Sequence, residues 1–337
     1  MLLQVSAGWG RIARWTLMAA AIISYPHFAP QFWVVNIGAY AIVLGIITLS
    51  LTFLAAYGGM VSLAQMTVAG VAGYTLAILS SHAANVGSAI LPWPWALAIA
   101  LGSGTLAGIL IGLVSVRTKG ISLLMITLAI GMIFFYLTQQ NTTLFHGFDG
   151  FRGVKAPIVF GMSLREPIVF YYLCMGVGIA LYAAVSYMVR TPFGIALQGI
   201  RDNPRRLAAL GYWVELHQVA AFGVAGFVAA VGGVLSLWYH GGISPGSVGI
   251  TAMVNILIVA VIGGLGQPRG ALIGALLFVL IQNFAIDLFI RERFNTVIGL
   301  TFLVIVLFSP DGLIGIWERL RRNRKRGLRS APNGATN

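Results

Sequence analysis

Apolar residues run in long blocks along this chain, separated by short clusters of charge, glycine and proline. Residues 15–116 contain no Asp, Glu, Lys or Arg, and further charge-free stretches cover 167–189, 216–268, 270–286 and 294–310. A helix rises about 1.5 Å per residue and a bilayer core is about 30 Å thick, so roughly 20 apolar residues make one crossing. The first block is therefore several crossings folded back on one another. Pro26 with Pro30, Tyr57-Gly58-Gly59, and Pro92 with Pro94 are turn signals that divide it into four. Continued to the end, the pattern predicts about ten transmembrane helices, near 15–34, 36–56, 61–80, 93–115, 121–140, 168–189, 218–238, 251–265, 270–288 and 294–309. The predicted fold class is all-α: a polytopic membrane protein with one transmembrane domain, 1–337.

Composition agrees with this pattern. Of 337 residues 58% are hydrophobic and only 9% charged, which excludes an ordinary soluble domain. Arg11 and Arg14 precede an apolar segment longer than a signal-peptide core and without a small-residue cleavage site, so the first span is expected to stay uncleaved. Cys174 lies alone in a span, leaving disulfides no role.

Charge sets the orientation. With a cytoplasmic N-terminus and ten alternating spans, Arg11, Arg14, Arg117, Lys119, Arg190, Arg201, Arg205, Arg206, Arg269 and the seven basic residues of the 318–337 tail fall inside. That is 16 of the 21 Lys and Arg; Arg152, Lys155, Arg165, Arg291 and Arg293 fall outside. Both termini are then cytoplasmic. The net charge of +13 is mostly topological bias, with no nucleic-acid partner implied. The basic tail reads as a disordered topogenic segment or as a contact for anionic membrane lipids.

One hydrophilic loop, 190–217, interrupts the apolar pattern. Arg190, Arg201, Asp202, Arg205, Arg206 and Glu215 forbid it from crossing the membrane. Thr191-Pro192 predicts a helix start, with Phe193, Ala196, Leu197 and Ile200 on one stripe; Asn203-Pro204 predicts a second start and Gly211 its stop. Leu207 and Leu210 share a face of that short helix. It reads either as a knob that docks into a cytoplasmic partner or as an interfacial hairpin capping two spans.

Much chemistry is missing. There is no phosphate-binding G-x-x-x-x-G-K-[ST] loop, and His27, His82, His146, His217 and His240 are scattered singly with no H-E-x-x-H and no paired carboxylates on a span. No catalytic residue, no metal and no cofactor bound by this chain are expected. The spans also lack the Asp, Glu, His or Arg with which ion-coupled transporters work. Uncharged polar groups do lie within them: Ser62, Gln65, Thr67, Thr127, Asn255, Gln282 and Asn283. These either bond across helices or line a substrate path. Gly104, Gly108 and Gly112, and Gly270 with Gly274, have the spacing of close helix crossings.

Several separated segments together resemble the LivM-type permeases of branched-chain amino acid ABC importers. The stretch "YGGMVSLAQMTVAGVAGYTLA", 57–77, resembles that family's G-x-x-S-L-G-x-x-x-F-x-G-x-G-A-Y segment through Gly59, Ser62, Leu63, Gly70, Gly73 and Tyr74. "ITLAIG", 126–131, "HGFDGFRGV", 146–154, "VIGGLGQPRGALIGA", 261–275, and "SPDGLIG", 309–315, resemble further segments. The middle loop resembles the T-P-x-G-x-x-x-x-x-I-R-x-[DN] signature through Thr191, Pro192, Gly194, Ile200, Arg201 and Asn203, with Ala208, Ala209 and Gly211 behind it. Three departures stand out: Pro204 where a glutamate is common, Ala64-Gln65 where a Gly-His-like pair is usual, and His146-Gly147-Phe148 for Thr-Gly-Gly.

The resemblance implies a non-enzymatic permease subunit in a bacterial inner membrane, passing branched-chain or other small neutral amino acids. ATP and Mg would be used by two cytoplasmic ATPase subunits. A second permease and an external substrate-binding protein would complete the importer. It implies that the loop is a coupling helix, with Gly194, Ile200, Arg201, Asp202, Asn203, Leu207, Ala208, Leu210 and Gly211 as its ATPase-coupling residues. Ser62, Gln65, Thr67, Thr127 and Asn255 are the candidate substrate path. The alternative is a stand-alone channel or facilitator for a small neutral solute such as urea or an amide.

Overall fold

A computed structural model describes residues 29–80, 91–154, 156–159 and 162–288, with Tyr25, Pro26 and isolated positions at 299, 300, 303, 312 and 315. More than half of the predicted first span and nearly all of the tenth lie outside the described residues, as do both termini and the 318–337 tail.

The chain is nearly all helix. In order come α1 (Trp33–Gly58), α2 (Gln65–Leu79), α3 (Trp93–Ser115), α4 (Ile121–Gln140), the single turn α5 (Thr142–Phe145), α6 (Pro167–Met188), α7 (Pro192–Asp202), α8 (Pro204–Ala209), α9 (Val214–His240), α10 (Ile250–Gly263) and α11 (Pro268–Leu288). Four two-residue strands form two antiparallel pairs: β1 (Phe151–Arg152) with β4 (Gly242–Ile243), and β2 (Ile158–Val159) with β3 (Met162–Ser163).

Five helices, α1, α3, α4, α6 and α9, are each long and apolar enough to cross a membrane, or six spans if α10 and α11 count as one bent span. The predicted count of ten is not reached among the described residues, and backbone breaks explain part of the difference. The predicted span 61–80 opens on four residues that are not helical, leaving the 15-residue α2. The predicted eighth and ninth spans are the limbs of a pair bent by 114°. Gly264, at φ +110°, and Pro268 turn that corner, and the backbones of Gly263 and Gly270 touch across it, which leaves no room for a Cβ.

Three helices form the centre: α1, α9 and the shorter α2, ten of whose 15 residues are buried. Over an 18-residue apolar stretch of each helix, α1 is 83% buried and α9 67%, whereas α3, α4 and α6 are only 22–33% buried, as expected of helices with one side toward lipid. The predicted glycine ridge meets α9: a Cβ on Gly108 would come 2.8 Å from Gly226 Cα, and one on Gly112 2.7 Å from Phe222 Cβ. Gly274 packs against Gly263 and Val259 in the same manner. With so few buried polar groups, van der Waals contact between close backbones holds these helices together.

The connections gather at two faces. At one, the end of α1, the 190–213 loop and the α10–α11 corner approach one another: Arg201 reaches Ala56, and Arg269 Nε donates to Tyr182 Oη (3.2 Å). At the other, β1 and β4 pair, Trp33 packs on Phe284, and Phe32, Trp33, Trp93 and Trp95 are exposed as an aromatic rim of the kind found at a membrane boundary. The first face carries Arg117, Lys119, Arg190, Arg201, Arg205, Arg206 and Arg269; the second carries Arg152 and Arg165 among the described residues.

Candidate functional site

A cavity of about 290 Å³ opens at the β1–β4 face. Its rim is polar, with Asp149, Arg152, His240, Ser244 and Ser247. Its lower wall is apolar: Ile47 of α1, Met66, Ala69 and Gly70 of α2, Leu237 of α9, and Ile243 and Val248 of the strap after α9. Pairing of Phe151 with Ile243 and of Arg152 with Gly242 seats the rim on the strap. Glycine makes the fit possible, because Gly150, at φ +62°, lies against the Ile243 carbonyl. Tyr74, buried in α2, anchors the other side through edge-on contacts with Phe145 (5.3 Å) and Phe151 (6.2 Å). At the mouth Arg152 and Asp149 form an exposed ion pair at 3.6 Å. In water such a pair adds little stability, so both charges stay available to a ligand.

Ser50, one turn beyond Ile47, donates to the Ile47 carbonyl (2.6 Å) and shares the same hydroxyl with Gln65 Oε1 (3.1 Å), the residue before Met66. The Gln65 contact joins α1 to the start of α2 across the floor. Of the predicted path residues, Ser62, Gln65, Thr67 and Thr127 come together here, each at most 2% exposed. Thr127 Oγ1 of α4 accepts from Leu63 N (3.1 Å). Thr67 Oγ1 faces Gly131 of α4 and has no hydrogen-bond partner, and neither does Ser62 Oγ. Asn255 is half-buried on α10 and joins none of them by a hydrogen bond among the described residues.

These four residues sit where the backbone is irregular. After Gly58 the chain turns through left-handed Gly59, φ +65°, and runs non-helically through Ala64 before α2 begins. Met60 and the stretch from Ser62 to Gln65 are buried, so non-helical backbone enters the protein interior. At membrane depth such backbone is tolerated only when protein or a polar cavity surrounds it.

The 190–213 loop closes the opposite end of this segment. α7 starts at Pro192 as predicted, and buries Ala196, Leu197 and Ile200, with Leu197 fully enclosed against the end of α1. Gly194 lies directly on the Met188 and Val189 carbonyls. Arg201 extends across Gly59: a Cβ there would stand 2.7 Å from Arg201 Cγ, and Arg201 Nη1 donates to the Ala56 carbonyl. Asp202 holds the same guanidinium at 3.0 Å. Asn203 Oδ1 caps α8 by accepting from Arg206 N (3.1 Å), and Gly211, at φ +87°, ends it by donating to Ala208 O (3.0 Å). Leu207 folds back to within contact of Gly199, while Leu210 is 68% exposed beside exposed Tyr212, Trp213 and Leu216. The loop's outer apolar edge is thus Leu210 and the aromatic pair after it, with Leu207 serving as internal packing.

Sequence reasoning missed the cavity rim and Ser50. Asp149 and Arg152 were the available signal, two opposite charges three residues apart in a chain that is only 9% charged. The pairing of Phe151 with Ile243 and of Arg152 with Gly242 had no local signature.

The family described as branched-chain amino acid transport system / permease component matches residues 33–307. The high-affinity branched-chain amino acid transport system permease protein LivM of Escherichia coli K12 is 23% identical, covering 83% of this chain and 69% of its own length. BraD of Pseudomonas aeruginosa, named for the same kind of system, is 27% identical over 47% of this chain and 52% of its own. The ribose import permease protein RbsC of Haemophilus influenzae is 24% identical over 90% and 92%. No solved structure matches. With the matched region taking in α1 to α11 and every residue of the cavity and the loop, this chain belongs to the family of branched-chain amino acid transport permease components.

Proposed function

We propose that this chain forms the translocation path of an ATP-binding-cassette importer for branched-chain or other small neutral amino acids. The carrying observation is a continuous mechanical connection. α7 is bolted through Arg201 and Leu197 to the end of α1 and to Gly59, and from Gly59 the irregular segment runs inward to the Ser50–Gln65 bond beneath the cavity. A displacement of the loop therefore acts directly on the floor of the pocket.

Orientation follows from charge. The face with seven described cations belongs in the cytoplasm of a bacterial inner membrane, and the β1–β4 face outside it. Leu210, Tyr212 and Trp213 then present an apolar edge to a cytoplasmic ATPase, while the cavity opens toward an external binding protein that delivers ligand. ATP binding and hydrolysis in two partner ATPases bias two rigid-body states of this chain and a second permease.

The cavity suits a small zwitterion with an apolar side chain. Arg152 and Asp149 offer opposite charges at the mouth, and Ile47, Met66, Leu237 and Val248 offer the apolar surface below. At about 290 Å³ it is at the small end of ligand pockets. A sugar calls for polar groups around its whole circumference, which this lower wall lacks.

The test is to extract the protein from its native membrane in mild detergent and identify by mass spectrometry every subunit that copurifies in stoichiometric amount. Two ATPases and a second permease are expected. A reproducibly solitary chain would replace this reading with the stand-alone facilitator.

A further inference from the structure

We propose that the corner where α1 and α6 start and α9 ends binds an anionic phospholipid, with Arg165 on the headgroup phosphate and the acyl chains against the apolar wall beside it. Two cavities meet there, of about 390 Å³ and about 420 Å³, and Arg165 and Trp238 line both. Neither shares a lining residue with the cavity of Asp149, Arg152 and Ile47. The first supplies polar groups: Gln31, Asn36 and Tyr239 line it together with Arg165. Tyr239 Oη donates to Asn36 Oδ1 (3.1 Å), which leaves the Asn36 Nδ2 donors for a ligand. The second is mainly apolar, walled by Leu76, Leu91, Trp93 and Ile158, and Ile158 is 67% exposed.

Charge selects the headgroup. No carboxylate lines either cavity, and Glu166, next to Arg165 in the chain, lines neither. Arg165 forms no ion pair among the described residues. Its guanidinium lies over the end of α9, with Nη2 3.6 Å from where a Cβ on Gly241 would stand. A helix C-terminus carries about half an elementary negative charge, enough to hold the guanidinium there without neutralising it. Depth selects the lipid. Phe32 lines the first cavity and Trp93 the second, and both belong to the exposed aromatic rim that marks the membrane boundary on this face. Phosphate headgroups lie at that level, and a guanidinium fork matches phosphate oxygens in pairs. A free anion would use only the polar cavity, whereas a phospholipid uses both, its phosphate at Arg165 and its chains along Trp93 and Ile158. The chemistry recognised is a phosphate diester carrying acyl chains.

The experiment counts lipids held by the full chain in mild detergent, by native mass spectrometry, with added phosphatidylglycerol, phosphatidylcholine of the same acyl chains, or inorganic phosphate. Wild type is expected to retain one phosphatidylglycerol that Arg165→Gln binds about tenfold more weakly, and that phosphatidylcholine and inorganic phosphate do not displace. Arg165 is exposed, so the variant should fold, and Arg165→Lys, which keeps the charge, should recover most of the binding. Arg205→Gln, on the opposite face, loses one charge elsewhere and should hold this lipid as wild type does. Equal phosphatidylglycerol retention by wild type and Arg165→Gln would overturn the proposal. Displacement by inorganic phosphate would overturn the lipid and leave a free-anion site. An Arg165→Gln protein that keeps its lipid but loses leucine uptake in proteoliposomes would also overturn it and assign Arg165 to a protein partner.

Discussion

Gly59 and Arg201 show how one backbone conformation ties two distant segments together. At φ +65° a side chain costs about 1–2 kcal/mol, and any Cβ at position 59 also meets the Arg201 stem at 2.7 Å. Gly59→Ala is therefore expected to leave the protein in the membrane yet cut uptake by about tenfold or more. Gly102→Ala, a helical position with nothing within 4 Å, is the matched control and should behave as wild type. Quantified membrane protein together with uptake rates decides it; equal uptake by both variants would dissolve the link. Leu197, fully enclosed between α7 and the end of α1, should cost about 2–5 kcal/mol on truncation to alanine, read as a lowered midpoint of thermal unfolding. An unchanged midpoint would mean that α7 is not packed as described. At this scale much could be read from the sequence. Asn203, Gly211 and the Thr191-Pro192 start have local chemistry that needs no tertiary context, and all fall where predicted. Arg201 was singled out by family resemblance, but its reach to Ala56 spans 145 positions and has no local trace.

Elements with uniform apolar sequence were equally plain: α3, α4 and α6 begin and end within one residue of the predicted spans. The misreadings concentrate where the backbone breaks inside an apolar run. Residues 61–64 are as hydrophobic as a helix, so hydropathy continues across them, and only left-handed Gly59 marks the interruption. The bend between α10 and α11 hides for the same reason, since its glycines also serve close packing. Packing at the α3–α9 crossing is tight enough to test directly. Gly108→Val would drive a side chain into the Gly226 backbone and the Phe222 carbonyl, both 2.8 Å from its Cβ, and should prevent accumulation of folded protein. Gly176→Val, in the open, should accumulate normally. Detergent-solubilised gel filtration separates these outcomes, and a monodisperse Gly108→Val protein would refute the crossing. Just after α8, Leu210 is the exposed leucine of the loop. Leu210→Asp alone should release the ATPase and leave the fold intact, whereas Leu207→Asp also breaks the contact with Gly199. Retention of the ATPase by Leu210→Asp in a pull-down would exclude that edge as the docking surface.

Across the whole molecule, the two faces carry different chemistry: cations and an apolar knob on one, a small polar-rimmed cavity within an aromatic belt on the other. The irregular segment between them is what makes the protein more than a bundle. The faces should be distinguishable in sealed vesicles. In a Cys174→Ser background, Asp149→Cys and Arg205→Cys should react with a membrane-impermeant thiol reagent from opposite sides, and labelling from the same side would refute the orientation. The central claim, that this chain passes small neutral amino acids under the control of its 190–213 loop, is tested most directly by leucine uptake into proteoliposomes holding the copurified complex, with and without ATP. ATP-dependent accumulation that Leu210→Asp abolishes is the expected result. Uptake that runs equally without ATP, or that Leu210→Asp leaves untouched, would contradict it.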